Sequence, residues 1–134
     1  MKRSKSTGAG ACDEGRERGA VAVEFGLVAP VLMLLVGGIV EFSYLYNLQI
    51  SVSQAAREAA RTMAVEHDDT AAVAAGIAGA PGLDPASFDF DFTGVCDGTP
   101  GNAAVTVTYT AGALTGLLGT TLVLEGEGSM RCGG

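Results

Sequence analysis

"RERGAVAVEFGLVAPVLMLLVGGIVEF", residues 16–42, decides how the rest of the chain is read. From Ala20 to Val40 it holds a single charged side chain, Glu24, and from Phe25 to Val40 it holds none. At about 1.5 Å per helical residue, the stretch from Ala20 to Val40 spans roughly 31 Å, close to the hydrocarbon thickness of a bilayer. A transmembrane helix over 20–42 is the expectation. Glu24 is the difficulty, because a carboxylate facing lipid costs on the order of 3 kcal/mol on insertion scales. An acid inside a span therefore marks a functional position, and something has to compensate it.

Working toward the N-terminus, residues 1–19 form a basic leader. Lys2, Arg3, Lys5, Arg16 and Arg18 stand there against Asp13, Glu14 and Glu17. From Glu41 onward the balance reverses, with Arg57, Arg61 and Arg131 the only bases in a strongly acidic remainder of a chain whose net charge is −7. Positive charge before the span keeps the N-terminus in the cytoplasm and sends the rest outside the cytoplasmic membrane. The acidic bulk has no basic stripe for a phosphate backbone, so no nucleic-acid partner is expected. Two other readings exist for the apolar run. A buried helix of a soluble domain would need a polar face, which "VAPVLMLLVGGIV" lacks. A cleavable secretory signal would find small residues at "VGG", but the acidic approach "DEGRER" and the helical pattern continuing past Glu41 do not suit it.

Working toward the C-terminus, "EFSYLYNLQISVSQAAREAARTMAVE" runs to Glu66 without Gly or Pro. Leu48, Val52, Ala55, Ala56, Ala59 and Met63 recur at three- and four-residue spacing, opposite Asn47, Ser51, Gln54, Glu58, Arg61 and Thr62. Residues 43–66 thus read as an amphipathic extension of the membrane helix, with Tyr44 and Tyr46 at the level of the lipid headgroups. Residues 67–134 read as a small extracytoplasmic domain. Asp69 or Thr70 is the expected N-cap of a short Ala-rich helix that fails near Gly79 and the "APG" turn. Phe88, Phe90 and Phe92 alternate with Asp89 and Asp91, and Val105, Val107 and Tyr109 alternate with threonines, which is the period of half-buried strands. "TTLVLEGEGSMRC" supplies a third strand, and "AGALTGLLG" before it reads as a loop or a single helical turn. The fold class is α+β, a long membrane-spanning helix continuing into a domain of about three antiparallel strands. So small a core gains from a covalent staple. Cys96 and Cys132 end the first and third strands on the oxidising side, where a disulfide is expected, the other reading being two separate thiols. In the chain-entropy model such a loop is worth roughly 4 kcal/mol. Cys12 is left over on the cytoplasmic side.

The compensation for Glu24 lies just upstream. Cutting after Gly19 would make Ala20 the first residue and Glu24 the fifth. A free α-amino group would then stand one helical turn from the carboxylate, or beside that of a neighbouring chain, and each charge would relieve the other's burial. The acid also favours the positive end of its own helix. On these residues, "RGAVAVEF" resembles the processing site of type IVb prepilins and pseudopilins. The longer run from Arg16 through "QAAREAARTMAV" resembles the TadE-like proteins of the Flp/Tad (tight adherence) pilus system. Phe25 stands where the Flp-type motif prefers Tyr, and Pro30 lies within the span.

The resemblance implies a minor pilin or pseudopilin, cut by a membrane-embedded prepilin peptidase at the Gly19–Ala20 bond. Glu24 would set its register in the assembly, with Phe25 packing beside it. Implied partners are the peptidase, other pilins or pseudopilins, Tad-type platform proteins with their ATPase, and membrane lipid. Major pilins of the Flp type are generally much shorter, so the domain after residue 66 points to a specialised role. The rival reading is an uncleaved membrane-anchored binding module whose acid reaches the cytoplasmic interface. An enzyme is not expected. His67 is the only histidine and reads as a solvated turn residue. Asp84, Asp89, Asp91 and Asp97 lack the Gly and bidentate Glu spacing of a calcium loop, and three cysteines without C-x-x-C make no zinc site. No metal, cofactor or catalytic residue is assigned.

Overall fold

The computed structural model describes residues 14–94, 96, 101–114, 116 and 119–132, with backbone alone at 14–18. Most of the basic leader, Cys12 and Asp97 lie outside the described residues. The elements follow in the order α1 (Glu14–Glu66), α2 (Asp69–Gly79), a 3-10 turn η1 (Pro85–Ser87), β1 (Phe88–Gly94), β2 (Asn102–Gly112) and β3 (Thr121–Arg131). This is a long apolar helix followed by a three-stranded antiparallel sheet, an α+β chain. Two units are distinguished, Met1–Ile39 and Val40–Gly134.

In the first unit α1 begins at Glu14, upstream of the apolar run, and continues through Pro30. Proline has no N–H to give to the carbonyl four residues back, which belongs to Gly26. Membrane helices tolerate this loss, because neighbouring groups re-satisfy the freed carbonyl. Val21, Phe25, Leu27, Val28, Leu32 and Leu35 are all exposed, as are most of their neighbours.

In the second unit α1 buries the face that its spacing announces. Leu48, Val52, Ala55, Ala56, Ala59 and Met63 are buried, joined by Ala60 and Ala64. The helix closes at His67, whose φ of 56° is left-handed and whose N–H reaches the Met63 carbonyl at 3.2 Å. Asp68 then caps α2, its carboxylate accepting from the N–H groups of Thr70 at 2.8 Å and Ala71 at 3.4 Å. The cap thus falls one residue before Asp69. A side chain capping from position 69 would leave residue 70, not Asp69, as the first helical residue, so the tight His67 turn moves the start of α2 forward.

The sheet has the order β1-β2-β3. Its inner face is built in rows that taper across the strands. Phe90 pairs with Val107 and Val107 with Gly126, while Phe92 pairs with Val105 and Val105 with Gly128. Rings on β1, branched side chains on β2 and bare backbone on β3 make a wedge. A Cβ added at Gly126 would lie 2.9 Å from the Val52 carbonyl oxygen, so β3 lies directly on the α1 backbone. Gly128 meets the Ala56 carbonyl in the same way. At the thick side of the wedge α2 supplies its own glycine, since a Cβ on Gly76 would meet the Phe90 ring at 2.5 Å. Phe88 stacks obliquely on Tyr109, their ring centroids 4.8 Å apart. The Phe and Val alternation expected from sequence is the observed one, with Asp89 and Asp91 on the exposed face of β1. β2 runs on through Ala111 and Gly112, so the first residues of "AGALTGLLG" are strand.

Candidate processing and assembly site

Gly19, Ala20, Glu24 and Phe25 lie within the exposed first part of α1. The helix starts at Glu14, so the Gly19–Ala20 peptide lies inside it. Ala20 and Glu24 are four residues apart, which places them on one face and roughly 6 Å apart along the axis. A charge on the nitrogen of residue 20 would therefore stand one turn from the Glu24 carboxylate. Phe25 presents most of its ring outward. The helix is long and apolar enough over this region to cross a membrane.

Cys96 and Cys132 are joined as a disulfide, with Cα atoms 5.5 Å apart. The bond ties the end of β1 to the end of β3 and lies against Met63, Ala64, Ala72 and Ala103. The backbone is drawn together beside it, because the Cys132 N–H donates to the Gly101 carbonyl at 3.0 Å. His67 is an exposed turn residue and Asp84 caps η1 through the Ala86 N–H at 3.0 Å. Among the described residues no group of three His, Cys, Asp or Glu side chains is placed to hold a metal ion.

Residues 19–61 match the TadE-like protein family model. Over this segment the chain is similar to TadE-like proteins. The match starts at Gly19, the first member of the expected scissile pair, and takes in Glu24, Pro30 and "QAAREAAR". It supports a pilin-like protein associated with a Tad pilus system and so, in general terms, with other components of such a system. No curated protein and no solved structure matches the chain.

The reading from sequence missed two features of this chain. Glu41 ends the apolar run and was expected only as its border, yet it is fully buried, with Oε1 accepting the Leu114 N–H at 2.9 Å. Its spacing held the signal, since Glu41, Leu45, Leu48 and Val52 follow the four-three-four rhythm of the buried face. Tyr44 likewise turns partly into the core, whereas Tyr46 is exposed. The second feature is the Gly126/Gly128 pair, visible in "EGEG" as glycine at every second position of a strand. Two such glycines on one face signal another backbone lying against it.

Proposed function

We propose that this TadE-like chain is a minor pilin or pseudopilin of a Tad-type pilus. It is anchored in the cytoplasmic membrane by α1, with its N-terminus inside and its sheet domain outside. Prepilin peptidase cuts it after Gly19, and the new Ala20 amine pairs with a Glu24 carboxylate as helices assemble. Platform proteins and the ATPase of the system then draw it into a pilus that serves adhesion or secretion. The observation that carries the reading is Glu24, set one turn beyond Ala20 in an apolar helix, within a family match that opens at Gly19.

The first test is the intact mass of the membrane-extracted protein, expressed with and without its cognate peptidase. A mature chain beginning at Ala20, seen only with the peptidase, is the expected result. A chain that keeps residues 1–19 beside an active peptidase overturns the proposal and leaves the uncleaved anchored module. Glu24→Gln then separates processing from assembly. Removing one partner of a desolvated ion pair costs about 3 kcal/mol or more, so incorporation into pili should collapse while cleavage persists. Normal piliation by this variant would count against the registration role.

A further inference from the structure

Within the unit Val40–Gly134, four of the exposed large apolar side chains lie toward one end, while Val65 and Met130 lie toward the other. β3 runs alongside α1 in the same direction. The Gln49 amide donates to the Glu125 carbonyl at 2.6 Å, Gly126 meets Val52, and Gly128 meets Ala56. Residues before Glu125 on β3 therefore lie on the side of α1 that leads back to Val40. Val123 is two residues earlier, roughly 7 Å along the strand. Leu114, which enters the β2–β3 connection, is fixed at the same end by its N–H on Glu41. Phe42 (69% exposed), Tyr46 (64%), Leu114 (58%) and Val123 (69%) form this end.

Charge is distributed the same way. After Glu41 the next charged residue on α1 is Arg57, and no charged residue occurs from Asn102 to Leu124. Of the acids near this end, Glu41 is buried with Leu114 N–H on its carboxylate, and the exposed Glu125, two residues after Val123 on β3, marks the limit of the uncharged region. In a chain of net charge −7 the exposed acids of this unit stand elsewhere, on Glu58, Glu66, Asp68, Asp89, Asp91 and Glu127 among others.

We propose that this uncharged collar of Phe42, Tyr46, Leu114 and Val123 is seated in the outer interfacial layer of the lipid bilayer. The occupant is lipid because Phe42 follows in sequence on Ala20–Val40, an apolar run of membrane length, and because the collar itself carries no exposed charge. Tyr46 supplies the amphipathic ring that suits the headgroup level. Glu41 acts as a positioning residue, holding the start of the β2–β3 connection at the boundary while its own charge is turned inward. The sheet domain thus rests on the membrane through a second contact besides its anchor. The proposal rests on the membrane-anchored reading of α1.

The chain has no tryptophan, so single tryptophans report their surroundings without background. The full chain, reconstituted in phosphatidylcholine vesicles with or without lipids brominated near the headgroup end of the acyl chains, to reach the collar, or near their methyl end, to reach Val28, would carry Leu114→Trp, Val28→Trp or Met130→Trp. Val28 lies in the apolar run and Met130 near the far end of β3. At an interfacial depth of ~5–10 Å, Leu114→Trp should be blue-shifted and quenched about twofold or more, while Met130→Trp is unaffected. Val123→Trp should behave as Leu114→Trp does, which guards against a local folding defect at one site. Quenching of Val28→Trp with both collar tryptophans unquenched overturns the collar alone. Blue-shifted collar tryptophans that bromine does not quench also overturn it, by showing that protein covers this end. An unquenched Val28→Trp overturns the membrane reading itself. Glu41→Leu, which has no acceptor for the Leu114 N–H, should reduce the quenching at Leu114→Trp while leaving that at Val28→Trp unchanged, whereas Glu41→Gln, whose Oε1 still accepts, should stay near the parent.

Discussion

The two units of this chain use the same kinds of residue in opposite ways. In the first, Gly19, Gly26 and Gly38 have nothing within 4 Å of where a Cβ would stand, and Glu24 is exposed. In the second, Gly76, Gly126 and Gly128 each face another element at contact distance, and Glu41 is buried on a backbone N–H. At these three positions glycine lets layers of the second unit close on one another, whereas at Gly19, Gly26 and Gly38 it leaves the helix surface bare. Glu41 and the close-packed glycines of the second unit meet their partners within the chain, while Glu24 and the open glycines of the first lie on an exposed apolar helix.

The largest effect that would break this contrast is at the helix–sheet contact. Gly128→Val places branched carbon against the Ala56 backbone, which cannot give way as a side-chain tip would. Overpacking of this kind costs about 3 kcal/mol or more, enough to unfold a small domain. Limited proteolysis of the membrane-inserted protein should remove the sheet and spare the anchor helix. A Gly128→Val protein as resistant as the parent would refute the close packing of β3 on α1. Next in size is the disulfide. Cys96 and Cys132 are 36 positions apart, and the Cys96→Ala/Cys132→Ala variant should lose about 2–4 kcal/mol, the chain-entropy value of roughly 4 being its upper end, measured as a lower denaturation midpoint. Asp68→Ala removes the side-chain acceptor for two orphan N–H groups of α2 and should cost about 1 kcal/mol by the same measurement.

These sites differ in how far the sequence announces them. The apolar run, the helical rhythm from Leu48 to Met63 and the Phe and Val alternations all follow from periodicity, because burial on one face imposes a period on a local segment. The Glu24 motif is equally local. Glu41 and the two β3 glycines are not, since their roles depend on the Leu114 N–H, 73 positions away, and on the α1 backbone at Val52 and Ala56. A period can say that position 126 faces inward. The glycines add that a backbone lies close there, but neither says that it is the backbone of α1. The cap at Asp68 is an intermediate case, because three acceptors stand in a row in "DDT" and the left-handed turn at His67 selects the first.

The smallest expected effect sharpens the contrast from the other side. Gly26→Ala and Gly38→Ala add a methyl where nothing lies within 4 Å, so neither should disturb the sheet domain. In water, alanine in place of a helical glycine would favour the helix by up to about 1 kcal/mol, and a preformed membrane helix leaves still less to gain. The denaturation midpoint of the outer domain should therefore stay within about 0.5 kcal/mol of the parent. Any loss that does appear must come from contacts made with other chains, since small residues let membrane helices approach closely. Pilus incorporation measured beside domain stability separates the two. Reduced incorporation with unchanged stability would place Gly26 or Gly38 at a helix–helix contact of the assembly, whereas a destabilised outer domain would contradict the open surroundings of these glycines and the division of the chain on which the comparison rests.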